Sequence, residues 1–452
     1  MTAPARTAAY HALRAIALDR ADLPTALAHS RQYLPDERDK ALAAEIVAGS
    51  LRWQRALDHV ITHFARRALS TIDPEVVFIL RLSLYQILHL DRVPASAVVD
   101  DAVDLARRAR KRSATGFVNA VLRNTVRQRT KLPFPARPET DADRDAVLAY
   151  LGITHSHPDW LVARWLDRYG YEATERWVRF NNETPRLTLR ANRLRTTRDD
   201  VAAALAAEEI DTEPTRHAPD GLVVTAGNPL RRPHDGSFFV QDEASQLVSL
   251  VVDAQPGERI LDLCASPGGK TTAMAADMEN TGLVVACDVR ARRIALLQET
   301  VRQSGAAHIH LVHVAPEGAL PFERSFDRTL VDAPCSGLGT IRRDPDIRWR
   351  RNEADLPALA SAQLALLSRA AEAVKAGGRL VYATCSSEPE ENEGVVDAFL
   401  AARPELTLVD LRSGGRPWPG ALIDARGMMR TLPHEHGLDA FFAAAFVVRL
   451  TA

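Results

Sequence analysis

Two cysteines stand directly after apolar runs that predict β-strands, and they are the best candidates for nucleophilic chemistry. Cys335 lies in VDAPCSG and Cys385 in YATCSS, each followed by a serine. In neighbouring strands of a parallel sheet, both thiols would emerge at the carboxyl edge, where such sheets bind ligands. A lone buried cysteine is usually packing material, but this shared setting favours a reaction centre. Packing is the role expected of Cys264 and Cys287.

A glycine-rich turn in the segment DLCASPGGKTT is the second candidate feature. A predicted strand ends at Asp262 and a helix opens after Gly269, so backbone amides can approach a ligand and the helix N-terminus favours negative charge. The turn is not a P-loop, because Cys264 stands where that motif requires glycine. Asp288, at the end of the next predicted strand, could accept hydrogen bonds from both hydroxyls of a ribose. A nucleoside cofactor is therefore favoured over a generic tight turn.

Paired cysteines beside a nucleoside cofactor suit methylation of cytosine at C5, a carbon that is a poor nucleophile. A thiolate that adds to C6 makes C5 able to take a methyl group from a sulfonium donor. A base then removes the C5 proton and the thiol is eliminated. The thiolate is the reactive form, so its surroundings must lower its pKa. Asp332 could supply the proton or hydrogen bond that cytosine N3 requires, and the base must be unstacked to reach such a pocket.

The elements that position these residues fall into three predicted domains. Helical periodicity up to residue 131 predicts five to seven helices, and the proline-rich KLPFPARPET that follows indicates a linker. The next stretch mixes helical segments with the strand-like PRLTLRANRL and GLVVTA. Strand, turn and helix then alternate, which predicts a parallel α/β sheet with helices on both faces. We expect domains at 1–135 (all-α), 145–235 (small α+β) and 236–452 (α/β).

Charge is unevenly spread, although the formal net charge is −1. Residues 1–132 hold 21 Lys and Arg against 13 Asp and Glu, which leaves 36 against 45 for the remainder. A basic first third favours nucleic acid as a partner, with a merely Arg-rich helical surface as the alternative. The segments RRARKR and IRRDPDIRWRR are expected to contact RNA. Arg190, Arg193 and Arg195 are expected to form a basic face on the α+β subdomain.

Several classes of protein are not expected. No stretch approaches the roughly 20 apolar residues of a membrane helix, and the first residues lack the apolar core of a signal peptide. The four cysteines include no CxxC pair and the clustered histidines no HExxH spacing, so neither a metal site nor a disulfide framework is expected. We therefore expect a monomeric cytoplasmic protein without membrane association.

The motifs together resemble those of bacterial 16S rRNA cytosine-5 methyltransferases of the Fmu/Sun type. They are DLCASPGGKTT, VDAPCSGLGTIRRDPDIRW and YATCSSEPEENE, with FVQDEASQL and LPHEHGLDAFFAA as further family-like segments. LYQILHL and TGFVNAVLRN look like the NusB-type RNA-binding helical domain of these enzymes. The resemblance covers nearly the whole chain. It implies a Rossmann-like class I methyltransferase domain, a small RRM-like α+β subdomain, an all-α NusB-like domain, and S-adenosyl-L-methionine as cofactor.

The resemblance also implies roles for individual residues. Cys385 would be the nucleophile and Cys335 would assist release of the methylated product. Asp288 would bind the ribose with support from Arg293, and Asp332 would serve both the cofactor site and catalysis. The methionine part of the cofactor would be held by one continuous turn, formed by Cys264, Ala265, Ser266, Pro267, Gly268, Gly269 and Lys270.

Two departures from the family pattern and two alternative functions remain. The family usually carries an acid after its third strand that contacts the adenine, and here Pro316 or Glu317 aligns with it. Either Glu317 substitutes or the contact is lost. Ala440 stands where glycine is common, which we expect to matter little.

Two alternative functions are a catalytically idle RNA-binding protein and an enzyme that performs the same chemistry on tRNA. The NusB-like domain argues against tRNA as the substrate.

Overall fold

The computed structural model describes residues 3–139, 143–231, 235–414 and 418–449. Its contacts divide the chain into two compact units, which are Met1–Thr184 with Ile341–Glu353 (unit 1) and Pro185–Thr340 with Ala354–Ala452 (unit 2). The predicted domain limits at residues 1 and 452, and Thr140 of the predicted linker, lie outside the described residues. The division after Thr184 falls inside the predicted 145–235 subdomain, whose limits stay a prediction.

Unit 1 is built from helices. The first seven precede the proline-rich linker, as expected, and three more follow it. In chain order they are α1 (Pro4–Ala17), α2 (Leu23–Arg31), α3 (Glu37–Arg52), α4 (Gln54–Ala65), α5 (Pro74–His89), α6 (Ala95–Arg108), α7 (Thr115–Arg127), α8 (Arg144–Ala149), α9 (Asp159–Tyr169) and α10 (Tyr171–Asn182). Helix α5 is apolar on most sides and lies in the middle of the core of this unit.

Unit 2 contains all the strands of the described residues and seven helices. Its helices are α11 (Arg198–Ala206), α12 (Glu243–Val252), α13 (Gly269–Asp277), α14 (Ala291–Ser304), α16 (Asp355–Ala371), α17 (Glu393–Ala402) and α18 (Pro433–His436). The short helix α15 (Ile347–Arg350) lies in the segment 341–353 and belongs to unit 1. The strands of unit 2 are β1 (Thr188–Ala191), β2 (Asp211–Pro214), β3 (Gly221–Ala226), β4 (Phe238–Val240), β5 (Arg259–Asp262), β6 (Leu283–Asp288), β7 (Ile309–His313), β8 (Phe326–Asp332), β9 (Val374–Thr384), β10 (Leu406–Val409), β11 (Met429–Thr431) and β12 (Phe441–Val448).

The smaller sheet is antiparallel, with strand order β2-β3-β1-β4. The predicted strands in PRLTLRANRL and GLVVTA and the helix α11 are confirmed. Strands β2 and β4 were not expected, because each is only three or four residues long and too short to show an alternating pattern. The sheet and α11 share one small apolar core.

The larger sheet has strand order β10-β12-β9-β8-β5-β6-β7, with β11 paired to β12. Strands β5 to β9 are mutually parallel, which confirms the predicted α/β sheet, and β12 runs antiparallel between β9 and β10. Successive residues of β5, Ile260 and Leu261, enter apolar cores on opposite faces. The segment LPALASAQLALLSRAAEAVKAG, residues 356–377, predicts a single helix. In the structure this helix ends earlier, at Ala371, because β9 begins at Val374.

The strand order reverses at β5, so the carboxyl ends of β5, β6 and β8 meet at one edge. Three aspartates stand there at the ends of these strands: Asp262, Asp288 and Asp332. A ligand crevice is expected at such a reversal point in an open α/β sheet. This edge is therefore the place where the predicted site residues converge.

The segment 341–353 folds with unit 1, and two of its arginines, Arg342 and Arg348, are buried. Arg348 is fully buried. Its guanidinium donates to the backbone oxygens of Arg52 (3.3 Å), Ser156 (2.9 Å) and Asn181 (3.2 Å) and to Oδ1 of Asn182 (3.0 Å). The nearby Arg342 lies over the Phe180 ring, 4.0 Å from its centroid. The RNA contact predicted for IRRDPDIRWRR is wrong for Arg348, because a buried guanidinium cannot meet a phosphate.

Candidate active site

The two predicted catalytic cysteines are in contact. Strands β8 and β9 are parallel neighbours, with Asp332 opposite Ala383, so the turns that follow them lie side by side. The Sγ atoms of Cys335 and Cys385 are 3.3 Å apart, and both residues are partly exposed. The arrangement expected from the strand-end positions is therefore the one that the structure shows.

A glycine brings the neighbouring backbones together at this point. The amide of Gly339 donates to the carbonyl oxygen of Cys385 at 2.9 Å, and its own carbonyl accepts from the amide of Ala440 at 2.9 Å. A Cβ on Gly339 would lie only 2.0 Å from the Ala440 oxygen. The segment after Cys335, the end of β9 and the start of β12 can meet here only because residue 339 has no side chain.

Lys270 connects the glycine turn to the cysteine pair. Its Nζ lies 2.7 Å from Oδ2 of Asp332, and its side chain is 13% exposed. Burial alone would lower the pKa of Lys270, but the charge and hydrogen bond of Asp332, together with the charge of Cys385, outweigh it and raise that pKa. Lys270 is therefore an ammonium group between a carboxylate and a cysteine. From the sequence, Lys270 was expected to help hold the methionine part of the cofactor.

The glycine turn presents unsatisfied polar atoms at the end of β5. Asp262 accepts from Oγ1 of Thr271 at 2.7 Å, and burial raises the pKa of Asp262 to about 7. Its second carboxyl oxygen and the Oγ of Ser266 are buried without a hydrogen-bond partner. Gly268 adopts φ +108°, and a Cβ there would also lie 2.8 Å from Leu297. These atoms form a tight polar turn with capacity for a ligand.

The other residues of the turn support its shape. The amide of Ala265 donates to the Cys287 oxygen at 2.9 Å, which joins the turn to β6, and Pro267 is exposed. Burial raises the pKa of the Cys264 thiol well above its usual value and that of Cys287 to about 12. Both thiols therefore stay protonated, as packing residues would.

A cavity of about 530 Å³ opens beside this turn. It is lined by both predicted ribose-site residues, by Cys264, and by both candidates for the adenine contact, Pro316 and Glu317. Within it, Oδ1 of Asp288 accepts from the Arg290 amide at 3.1 Å, and Arg293 lies 3.7 Å from the other oxygen. Much of the remaining wall is apolar, from Val289, Val314, Ala362 and Leu366.

Arg190 is a site-supporting residue whose position the sequence did not reveal. It is buried on β1, where it donates to the Gly269 oxygen at 2.6 Å and to Oγ1 of Thr272 at 2.8 Å. Burial lowers its pKa to about 10, so it remains charged at neutral pH. The basic face predicted from Arg190, Arg193 and Arg195 is wrong for Arg190, which holds the start of α13 instead of facing solvent.

The described residues show neither a metal-ligand cluster nor a membrane-spanning helix. Among them, no group of three or more His, Cys, Asp or Glu side chains is arranged to hold a metal ion. Nor is any helix in this part of the chain both long and apolar enough to cross a bilayer.

Three family models match the chain. The model of the 16S rRNA methyltransferases RsmB/F matches residues 249–447, that of the NusB family residues 3–127, and that of the ferredoxin-like domain of RsmF/B-like methyltransferases residues 157–231. They cover the larger sheet with the cysteine pair, the helices α1 to α7 and strands β1 to β3 of the smaller sheet. The chain belongs to the RsmB/F family of 16S rRNA methyltransferases.

Relatives and solved structures extend this likeness over the whole length. The probable ribosomal RNA small subunit methyltransferase B of Bacillus subtilis (strain 168) is 36% identical over 412 residues, 90% of each chain. The ribosomal RNA small subunit methyltransferase B of Pseudomonas putida is 33% identical over 446 residues, 98% of each chain. The crystal structure of a protein named PH0851 superimposes with a TM-score of 0.80 at 27% identity, over 99% of each chain.

The cofactor of this methyltransferase family is S-adenosyl-L-methionine, and the cavity fits it in chemical terms. A strand-end carboxylate, Asp288, is available for a diol, and apolar walls are available for a flat ring. The unpartnered oxygens of Asp262 and Ser266 are available for a charged amino-acid group. Each part of the cofactor therefore finds a complementary surface among these residues.

Proposed function

We propose that this chain transfers a methyl group from S-adenosyl-L-methionine to C5 of a cytidine in 16S rRNA, through a covalent bond between Cys385 and C6. The observation that carries the proposal is the contact between Cys335 and Cys385, 3.3 Å apart beside the Lys270–Asp332 pair. Membership of the RsmB/F family supports ribosomal RNA as the substrate class. The C5 target and the covalent route rest on the paired thiols.

The cofactor would lie in the cavity beside the glycine turn. Asp288 would accept hydrogen bonds from the ribose hydroxyls, with Arg293 holding the orientation of its carboxylate. Asp262 and Ser266 would receive the methionine part, and Glu317 stands at the wall for the adenine contact. When bound, the cofactor supplies a methyl group activated by a sulfonium centre.

The charges around the two sulfurs favour Cys385 as the nucleophile. The hydrogen bond with Cys385 comes first among the causes that raise the pKa of Cys335, and burial comes second. Cys335 therefore keeps its proton and can donate it towards its neighbour. On the other side, the Lys270 ammonium interacts with the charge of Cys385. Attack on C6 requires a thiolate, and we assign it to Cys385, whose neighbours are a protonated thiol and an ammonium group.

The bonds that form and break in the reaction can be assigned to residues of this chain. The Cys385 thiolate forms a bond to C6, and Asp332, once it has taken a proton from its Lys270 partner, supplies that proton or a hydrogen bond at N3. After C5 has accepted the methyl group, the Cys335 thiol releases its own proton to solvent, and the resulting thiolate removes the proton from C5. The C5–C6 double bond forms again as the electron pair of the Cys385–C6 bond returns to sulfur. Cys335 is suited to this late role, because its hydrogen bond to a Cys385 thiolate is lost once that sulfur is bonded to carbon.

The helical unit is proposed to dock RNA. Arg107, Arg108, Arg110 and Arg112 at the end of α6 are exposed, and Arg123 and Arg127 of α7 are exposed as well. Such arginines meet phosphates through charge, so binding should weaken as salt rises. We also propose that the chain acts in the cytoplasm as a monomer.

Two cysteine variants test the proposed function through opposite outcomes. Cys385→Ala should abolish methyl transfer and leave no covalent RNA adduct. Cys335→Ala should accumulate a protein–RNA complex that survives denaturing gels, because release is impaired. Cys287→Ala is the matched control, since it removes a thiol from the core and should retain both methylation and release. Methylation by Cys385→Ala, with no adduct from Cys335→Ala, would reverse the two roles.

The substrate is tested separately. Bisulfite sequencing of 16S rRNA from cells with and without the gene should show one cytidine that loses its methyl group. An unchanged 16S rRNA together with a lost tRNA methyl group would overturn the ribosomal assignment while leaving the chemistry intact.

A further inference from the structure

A buried carboxylate lies directly behind the two cysteines. Glu391 is fully buried, and its carboxylate receives four hydrogen bonds. The Ser336 amide donates to it at 2.7 Å and Nε2 of Gln363 at 2.8 Å, and the hydroxyls of Ser336 and Ser386 donate as well. All four donors are neutral groups. The carboxylate is therefore held in place without an ion pair in this cluster.

These contacts join two turns that come from different strands. Ser336 follows Cys335 after β8, and Ser386 follows Cys385 after β9. Glu391 accepts from both hydroxyls, which are themselves 3.1 Å apart. One carboxylate thus bridges the residues immediately next to both reacting thiols. A change of a single ångström in such a geometry is large enough to slow a reaction strongly.

The bridge is itself fixed by two buried side chains. The hydroxyl of Tyr382 donates to the backbone oxygen of Glu391 at 2.5 Å and to Oε1 of Gln363 at 3.0 Å. Nε2 of Gln363 also donates to the Pro334 oxygen at 3.0 Å, one residue before Cys335. The network leaves Glu391 little freedom to turn away from the cysteines.

Charge is distributed asymmetrically around the thiol pair. The negative charge of Glu391 is among the causes that raise the pKa of Cys335, after its hydrogen bond to Cys385 and its burial. The positive charge of Lys270 interacts with Cys385. The carboxylate of Glu391 therefore disfavours a thiolate at Cys335, while the charge of the Lys270 ammonium acts on Cys385.

We propose that Glu391 is a positioning residue that keeps the two thiols in contact and keeps the proton on Cys335, so that Cys385 carries the negative charge. The proposal rests on the function proposed above for its cysteine roles. It adds a physical cause for their division of labour, since the two residues otherwise share the same strand-end setting.

The test measures the reactivity of each thiol in the free, full-length protein, without RNA or cofactor. Iodoacetamide is added, and alkylation of Cys335 and Cys385 is followed by mass spectrometry. In the unaltered protein Cys385 should react faster. In Glu391→Gln the rate at Cys335 should rise at least about threefold, because one pKa unit changes the thiolate fraction about tenfold while lower nucleophilicity takes back about threefold.

Two further variants separate charge from bridging. Glu388→Gln removes a buried carboxylate from the same turn, one that accepts from Ser387 at 2.9 Å, and should leave the ratio of the two rates unchanged. The double variant Ser336→Ala/Ser386→Ala keeps the charge of Glu391 but removes the hydroxyl bridge. Its single-turnover methylation should fall at least about tenfold, with an unchanged Kd for S-adenosyl-L-methionine. It also tests the proposal if Glu391→Gln does not fold.

Two results would overturn the proposal. One is a Glu391→Gln protein that folds and keeps the original ratio of alkylation rates. The other is a double serine variant that methylates at the original rate. Neither result depends on which base is methylated, so a failure here is distinguishable from a failure of the proposed function, which the Cys385→Ala and Cys335→Ala variants report.

Discussion

The ammonium of Lys270 lies 2.7 Å from a carboxylate oxygen of Asp332, at the point where the glycine turn meets the end of β8. The two side chains are 13% and 29% exposed, so water screens the pair only in part. The pair joins the cofactor turn to the catalytic centre, because Lys270 also interacts with Cys385. A change at either residue should therefore affect chemistry more than cofactor binding.

Lys270→Met should lower kcat/KM for methylation by about 10² to 10³, because it removes the charge that stabilises the Cys385 thiolate and leaves Asp332 without its partner. Alkylation of Cys385 in the free protein should slow as well. The matched control is Lys375→Met, whose salt bridge to Asp327 is half exposed and should contribute little. A variant that lost only cofactor affinity, with kcat unchanged, would contradict this prediction.

Arg190→Leu should weaken binding of S-adenosyl-L-methionine by about tenfold or more, because the Gly269 oxygen and Thr272 lose their donor and the start of α13 is released. Isothermal titration with the cofactor alone measures this effect. Arg195→Leu is the control on the same stretch of chain, since it is exposed and should leave the Kd unchanged. Equal losses in both variants would indicate a general charge effect.

The stability of unit 2 should depend on pH through Asp262. Burial raises the pKa of this carboxyl from 3.8 to about 7. Below pH of about 4 it is neutral in both folded and unfolded chains, whereas above about 7 the folded chain must bury its charge. Its contribution to stability is therefore lost as pH rises between these values, by up to about 4 kcal/mol.

Asp262→Asn stays neutral throughout and provides the comparison. Its melting temperature, relative to that of the unaltered protein, should rise between about pH 5 and about pH 8. A difference that is constant with pH, or one that moves the other way, would show that Asp262 is ionised in the folded protein at both pH values.

Arg348→Met should destabilise unit 1 by about 3–5 kcal/mol, because it leaves buried oxygens without a donor and opens the packing of the segment 341–353. Chemical denaturation followed by the fluorescence of the buried Trp165 and Trp177 measures this loss. Arg144→Met is the control, since the side chains of Arg144 and its partner Asp167 are 49% and 62% exposed and the change should cost less than about 1 kcal/mol. Equal effects would argue against a special role for Arg348.

The position of the catalytic centre could be predicted from sequence because it depends on a simple geometric rule. Cys335 and Cys385 each follow an apolar run, and parallel strands end at a common edge. The same rule placed Asp262 and Asp288 beside them. What it could not supply was the difference between the two cysteines, because their local sequence settings are alike. We propose that Lys270 and a glutamate further along the chain supply that difference.

The predictions of surface contacts that were wrong concern charged side chains that the structure buries. Arg190 and Arg348 lie in stretches rich in charged residues and were expected at the surface, because a charged side chain is usually exposed. Glu391 lies in a similar stretch, and no role was predicted for it. Their burial depends on partners distant in sequence, such as Gly269 for Arg190 and Ser156 for Arg348. Periodicity within one segment carries no information about such partners. For Glu391 the available signal was the repeated Cys-Ser pair, which offers two hydroxyls to a shared acceptor.

Residues 341–353 fold with the helical unit, although the chain on both sides of them belongs to unit 2. The two units therefore cannot be exchanged between proteins as two uninterrupted stretches of sequence. A fragment that began at Pro185 would retain this segment, with Arg348 deprived of the oxygens that surround it in the helical unit. A fragment that ended at Thr184 would lack the guanidinium that fills its own interior. Recombination between relatives should therefore succeed best when the N-terminal helices and residues 341–353 are inherited together, as two separate stretches of one ancestral gene.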